Sequence, residues 1–374
     1  MAAENQRVPL MIVHGGAWSI PSEMEQDHIH GTYNAIAQVY PKLLSGEIDA
    51  EEAVVRAISI LENDETFDAG KGSFLNLKGQ VEMDASIMNG TSMKCGAVCA
   101  IQSVRNPIRI AQRVMNQTEH VLLVGENALE FARSTCHSEE ECKELFVTSV
   151  EELVTKRELE FLESIRNNDE FTSRTVFESK IESPPPSKKG TVGCVALDLN
   201  GTICAGTSTG GTPKKVNHQV PGRSGDTGII GSGTYADSNV GGASSTGWGE
   251  SIMKIQMTGT VIKWLEFHNT PTLPKKASIY SHLNFESISK NQQQEDSEKE
   301  LNMNEEQIAI ETIIEYLDQK VSGLGGLIFL SKDGKYAVSH NTDKMSFAYV
   351  PPGSVNKENG HFEVVSIVSR KQGC

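Results

Sequence analysis

From Arg166 to Lys189 the chain is polar and aperiodic, and it ends in Ser183-Pro184-Pro185-Pro186-Ser187-Lys188-Lys189 before turning abruptly at Gly190-Thr191 into the apolar run TVGCVALD. A stretch of that composition cannot bury enough apolar surface to fold, so it reads as an exposed linker between two halves of one body. The run after it opens the stretch TVGCVALDLNGTICAGTS, two strands joined at Asn200-Gly201. Asn-Gly supplies the positive φ angles of a two-residue hairpin turn. Any fold for this chain must accept a threonine that stands between a linker and a core hairpin.

Around that junction strands and helices alternate. Val8 to Val13 reads as a short buried strand, followed by helical periodicity over about Glu25–Leu44 and Ala50–Leu61, the second entered through Asp49 as N-cap. ETFDAGKGSFLNLKGQ is a glycine-rich loop; VEMDASIM, CGAVCAIQSV and HVLLVG read as strands; Pro107–Met115, Gly125–Arg133 and about Val150–Ile165 read as helices. A second hairpin, GLIFLSKDGKYAVSH, turns at Asp333-Gly334. Before it lie a glycine-rich stretch (Gly222–Gly249), a helix from Glu250 to about Phe267, and a polar insert, Ser287–Glu306. No fixed-period repeat is present.

A chain of 374 residues with 38 % hydrophobic content can bury a sizeable core. Its formal charge of −15 repels nucleic acid and anionic lipid, and no window approaches the roughly 20 apolar residues of a membrane span. No signal-like apolar region precedes the first strand, so the expected compartment is the cytosol. The seven cysteines are scattered and lack CxxC spacing, against a disulfide framework or zinc site. Gly222–Gly249 lacks the GxxxxGK[ST] pattern that a phosphate cradle requires.

Threonine is a weak nucleophile, but at a new N-terminus its own α-amine, with a pKa of about 7.7–8, can take the hydroxyl proton near neutral pH. Breaking Gly190-Thr191 would create that N-terminus. Glycine tolerates backbone conformations closed to other residues, so strain at this peptide is expected to help the hydroxyl attack the Gly190 carbonyl.

The sequence resembles the plant-type asparaginases, also called isoaspartyl aminopeptidases, which are N-terminal-nucleophile hydrolases. The likeness runs through HGGA at His14–Ala17, LENDETFDAGKGSFLN, DASIMNG at Asp84–Gly90, GAVCAI, NPIRIAQRVM, HVLLVGENALEFA, GTVGCVALD, TSTGG at Thr207–Gly211, PGRSGD at Pro221–Asp226, TGWGE at Thr246–Glu250 and GGLIFLSKDGKYAVSHNTDKM. The resemblance implies an α+β fold, a four-layer αββα sandwich, cut into an α chain (Met1–Gly190) and a β chain (Thr191–Cys374) that together form one globular domain and pair into a dimer. It implies Thr191 as nucleophile, Thr209 as the hydroxyl that orients it, and Thr246 and Gly247 as the oxyanion hole. Arg223 and Asp226, with Gly249 and Thr246, would hold the substrate's α-carboxylate and α-ammonium. Backbone carbonyls of Leu61, Glu62, Asp64, Phe67, Ala69 and Lys71 would hold a structural sodium or potassium ion, with no organic cofactor. The implied reaction is hydrolysis of asparagine or β-aspartyl dipeptides.

Three departures bear on that reading. Asp68 stands where many relatives have Asn, placing an anion near the Thr191 amine and raising its pKa. Trp248 replaces a small residue beside the oxyanion hole and is expected to narrow the leaving-group side. Thr212–Val220 is about four residues longer than usual, which brings Lys214 and His218 toward the cleft. Among rivals, AGTSTGG and TYAD resemble glycosylasparaginase, and threonine aspartases share the nucleophile but cut within a chain, where no free α-amine exists for Asp226. An uncut scaffold without activity is the alternative from another class.

Overall fold

The structure, a computed structural model, describes residues 7–168, 171–178, 190–213, 222–268, 304–356 and 359–371. It is a mixed α+β fold with two sheets. The larger has eight strands: β1 (Leu10–Trp18), β2 (Met83–Asn89), β3 (Cys95–Ile101), β4 (Leu122–Val124), β5 (Val192–Leu197), β6 (Ile203–Thr209), β11 (Lys344–Tyr349) and β12 (Val365–Arg370), in the order β12-β11-β1-β5-β6-β2-β3-β4. The smaller, of four strands, contains β7 (Thr234–Asp237), β8 (Gly241–Gly247), β9 (Gly325–Ser331) and β10 (Tyr336–His340), in the order β10-β9-β8-β7. All pairings are antiparallel except β3 with β4.

The central strands are apolar on both faces because both faces are covered. One face of the larger sheet packs Met11, Val13, Cys194, Ala196, Ile87 and Val98 against α1 (Glu25–Ser45), α2 (Ala50–Glu62) and α3 (Pro107–Gln117). Its other face meets the smaller sheet through Ile12, Val195, Ala205, Ala236, Ile328 and Leu330. The far side of the smaller sheet packs Ala243, Leu327 and Phe329 against α7 (Gly249–Ile255), α8 (Met257–His268) and α9 (Glu305–Val321). The other α-helices among the described residues are α4 (Gly125–Ser134), α5 (Glu139–Leu145) and α6 (Lys156–Arg166).

Several boundaries move for identifiable reasons. β1 continues beyond Val13 through His14–Trp18, with a register shift between His14 and Ala17. The charged helix begins late, at Lys156, because the Thr155 hydroxyl caps Glu158 N. The expected helix from Glu250 breaks at Gln256, which adopts φ 48°, and this lets Gly259 N reach the Gly231 carbonyl at 2.7 Å. Helices α5 and α9, capped by Ser138 and Asn304, were not anticipated. The hairpin forms, in register from Val192↔Ser208 to Leu197↔Ile203, but not as a two-residue turn: Leu199, Asn200 and Gly201 make the loop, Gly201 alone takes a positive φ (86°), and its N–H donates to the Asp198 carbonyl at 3.1 Å. Asp49 caps α2 by accepting from Glu52 N at 2.9 Å. The linker expected to be exposed is partly packed: Ser173–Phe177 forms a 3-10 turn that buries Val176 and Phe177 against Trp18 and Phe161, while 179–189 and most of the insert Ser287–Glu306 lie outside the described residues.

Candidate active site

Thr191 sits at the foot of β5, beside the end of β1, where HGGA makes room for it. Gly16 (φ 108°) and Gly190 stand back to back: a Cβ on Gly190 would lie 2.5 Å from Gly16 Cα. Gly190 itself is not in the left-handed region, so the expected strain in its φ is absent. Glycine is required there by close approach of two backbones, not by conformation.

The Thr191 hydroxyl donates to Thr209 Oγ1 at 3.1 Å. Thr209 in turn donates to Asp68 Oδ2 at 3.2 Å and accepts from Gly211 N at 3.0 Å. A hydroxyl has one proton to give, and that of Thr209 goes to Asp68. Toward Thr191 it can therefore only accept, which fixes the direction of the Thr191 hydroxyl proton. Asp68 is buried and held at every turn: Oδ1 accepts from Phe74 N at 2.8 Å, its carbonyl accepts from Gly210 N at 2.8 Å, and its N–H donates to the Gly190 carbonyl at 3.1 Å. The carboxylate expected to face the Thr191 amine thus binds the adjacent Thr209 hydroxyl.

His14 fixes the other side of Thr191. Its Nδ1–H donates to the Thr191 carbonyl at 3.1 Å, a contact that assigns the tautomer, and Nε2 accepts from Ser244 Oγ at 2.9 Å. Burial pushes its pKa from 6.5 to about 3, against the raising effect of the Thr191 carbonyl, so the ring is neutral at working pH. Ser244 and Thr207 are 2.7 Å apart, and Thr207 and Thr234 2.6 Å, extending a buried hydroxyl chain between the sheets. Sequence reasoning missed His14, although HGG closing a buried strand was the available signal.

The proposed oxyanion residues lie at the same end of β8. Thr246 Oγ1 accepts from Ala17 N at 3.2 Å, which leaves the hydroxyl proton to point elsewhere. Gly247 has φ 138° and lies against Leu324 and Gly325, leaving no room for a side chain. Trp248 follows, its N–H donating to the Leu324 carbonyl at 2.8 Å. Arg174 and Lys254 lie over its ring, 5.1 and 5.9 Å from the centroid, and the ring packs beside the apolar cluster of Trp18, Phe74, Phe161 and Phe177.

Arg223, Asp226 and Gly249 come together. A Cβ on Gly249 would lie 2.7 Å from Asp226 Oδ1 and 3.1 Å from Arg223 Nη2. Arg223 grips Glu250 bidentately, Nε to Oε1 at 2.9 Å and Nη2 to Oε2 at 2.7 Å, an anchor the sequence reading did not identify. Burial works against the guanidinium charge, but the Glu250 carboxylate outweighs it and raises the Arg223 pKa. Burial pushes Asp226 from 3.8 to about 6, moderated by Ser245 Oγ, which donates to Oδ2 at 2.9 Å. Asp84, paired with Thr209 across β2 and β6, ties this loop down by accepting from Ser224 Oγ and Gly225 N, both at 3.1 Å. Lys214 and His218 lie outside the described residues.

In the loop after α2, Lys71 N donates to the Glu62 carbonyl at 2.8 Å, and glycine is required at position 70 both by its φ of 56° and by the Glu62 carbonyl oxygen, which would lie 2.2 Å from a Cβ. The Glu62 carboxyl is fully buried, accepts from Ser208 Oγ at 2.7 Å, and has its pKa pushed by burial to about 8. Among the described residues no cluster of His, Cys, Asp and Glu suits a metal, and no helix is long and apolar enough to cross a membrane.

A family model described as asparaginase matches residues 7–284. An isoaspartyl peptidase/L-asparaginase of Xenopus laevis is 34% identical over 343 residues, covering 91% of this chain and 92% of that protein. Proteins of the same name from Danio rerio and Homo sapiens are each 33% identical over 349 residues, covering 93% of this chain and 94% and 95% of theirs. With a match along most of its length, the chain belongs to the asparaginase family.

Proposed function

We propose that this protein is a threonine amidohydrolase that cuts itself at Gly190-Thr191 and then hydrolyses L-asparagine and β-aspartyl dipeptides. The observation that carries the reading is the Thr191 hydroxyl, at the start of a core strand and directed onto Thr209 at 3.1 Å. It agrees with the activities named for the relatives.

Arg223 receives the substrate's α-carboxylate and Asp226 its α-ammonium, with Gly249 leaving the space between them. The side-chain carbonyl then enters the donors of Thr246 Oγ1 and Gly247 N. Thr191 Oγ1 attacks its carbon, and the freed α-amine of Thr191 takes the hydroxyl proton. The oxyanion collapses, the amine leaves with that proton, and an acyl ester remains on Oγ1. Water attacks the ester, giving aspartate and restoring the hydroxyl. Removing one oxyanion donor commonly costs about 3–4 kcal/mol in such a step. Asp226 favours this exopeptidase-like reaction over threonine-aspartase cleavage, because within a chain the α-nitrogen is an amide.

Sheets packed face to face, with helices on both outer sides, support the four-layer αββα sandwich. The cut would give chains 1–190 and 191–374 that remain one domain, since β1 and β5 pair across it. Assembly as a dimer of such pairs and action in the cytosol complete the reading. Six free cysteines among the described residues agree with a reducing compartment. No organic cofactor takes part. The closed loop 61–71 suits a structural sodium or potassium ion held by the carbonyls of Leu61, Glu62, Asp64, Phe67, Ala69 and Lys71, which would stiffen the segment carrying Asp68.

Ammonia release from asparagine and amino-acid release from β-aspartyl dipeptides test the activity. Turnover of both by the wild type, and of neither by Thr191→Ala, is expected; equal turnover by both proteins would remove Thr191 from the reaction.

A further inference from the structure

Trp18, the last residue of β1, is fully buried, yet its indole Nε1–H has no acceptor among the described residues. An unpaired buried donor is rare in a folded protein and calls for an explanation. The ring cannot turn to find one: it packs in a cluster with Ile20, Met24, Phe74 and Phe161, and the His28 ring lies 5.6 Å away. Its Cδ1–Nε1 edge faces Gly190. A Cβ built on Gly190 would lie 2.9 Å from Cδ1, 3.2 Å from Nε1 and 2.5 Å from Gly16 Cα.

Gly190 supplies the carbonyl that self-cleavage attacks. In the uncut chain its one oxygen already accepts from Asp68 N at 3.1 Å. Attack by Thr191 Oγ1 forms a C–O bond and puts negative charge on that oxygen. The C–N bond then breaks, and the Thr191 nitrogen takes the proton lost by Oγ1. Water next displaces Oγ1 from the Gly190 carbon. Gly190 is left as a carboxylate, Thr191 has its hydroxyl back, and the remaining proton makes its amine an ammonium. The product thus has two oxygens and a negative charge where the uncut chain had one neutral oxygen with one donor.

We propose that the Trp18 indole N–H is the second donor at Gly190, engaged only as charge develops during self-cleavage and then holding the new α-chain carboxylate. The inference rests on the proposed self-cleavage at this bond. It explains why the donor is unpaired before the cut: its partner is made by the reaction. Fixed donors aimed at charge that appears only in the transition state are an effective form of catalysis.

Two measurements test it. Trp18→Phe keeps an aromatic ring and deletes the N–H; the shape-matched benzothienylalanine, placed at position 18 by codon suppression, does so with less change in packing. Precursor made by cell-free translation should mature about tenfold or more slowly in both, whereas kcat and KM per matured site stay at wild-type values. In 15N-indole spectra, the Trp18 resonance, assigned by its loss in Trp18→Phe, should lie downfield and exchange more slowly in the cut wild type than in full-length Thr191→Ala. Maturation of the benzothienylalanine protein at the wild-type rate overturns the catalytic role, and an identical resonance in cut and uncut proteins overturns the carboxylate contact. A wild type that stays a single chain overturns both this inference and the self-cleavage reading, whereas wild-type maturation unaffected by either substitution overturns this inference alone.

Discussion

Gly249→Ala tests the substrate grip with one added methyl group. The new Cβ would sit 2.7 Å from Asp226 Oδ1 and 3.1 Å from both Arg223 Nη2 and Asp226 N. Neither partner can swing aside: Asp226 is held by Ser245 at 2.9 Å and Arg223 by Glu250 at 2.7 and 2.9 Å, with 12% of its side chain exposed. Gly249 opens α7, where alanine is by itself favoured over glycine by roughly 0.5–1 kcal/mol, so the overpacking falls on the cleft rather than on the helix. Overpacking typically costs about 1–3 kcal/mol of stability, and relief of the clash by displacing Asp226 or Arg223 should lower kcat/KM roughly tenfold, the equivalent of about 1.4 kcal/mol of lost binding. Steady-state kinetics on asparagine should show most of it in KM. Self-cleavage involves no free α-amino acid and should proceed at the wild-type rate. An unchanged KM, with melting temperature and maturation also unchanged, would show that the Arg223–Asp226 pocket does not receive the substrate.

The remaining predictions concern protonation and shape. With Asp226 pushed to about 6 in the free enzyme, log kcat/KM should fall as pH drops below about 6, and the inflection in kcat should lie lower because a bound ammonium favours the carboxylate; superimposable profiles would contradict this. Because that folded-state pKa lies above the unfolded value of 3.8, the group's contribution to stability is full below about 3.8 and lost as pH rises through about 6. Asp226→Asn should flatten this part of the melting-temperature profile. Trp248→Thr should lower the melting temperature by removing a ring that Arg174 and Lys254 lie over, and should raise turnover of glycosylated asparagine relative to asparagine. An unchanged ratio with only the stability loss would make Trp248 packing alone.

What was legible in the sequence was whatever is decided locally. The Asn200-Gly201 hairpin and the Asp49 cap depend on neighbours a few residues away, and both form where expected. What was missed depends on contacts between distant segments. The reason for Gly190 lies in Gly16, brought alongside by β1 and β5, and nothing near Gly190 in the chain indicates it. His14 reads as one polar residue in an apolar strand until Ser244, from the other sheet, supplies its second partner. The pairing of Arg223 with Glu250 likewise needs α7 folded against the loop that carries Arg223. Asp68 was singled out as a departure, but only the folded loop brings its carboxylate to Thr209.

The central claim, that one threonine both cuts the chain and becomes its nucleophile, is tested most directly by intact-mass measurement of purified wild type beside Thr191→Ala. Two species whose masses divide between Gly190 and Thr191 in the wild type, and one full-length species in the variant, are the predicted result. A full-length wild type, or a variant divided at the same bond, would contradict the account.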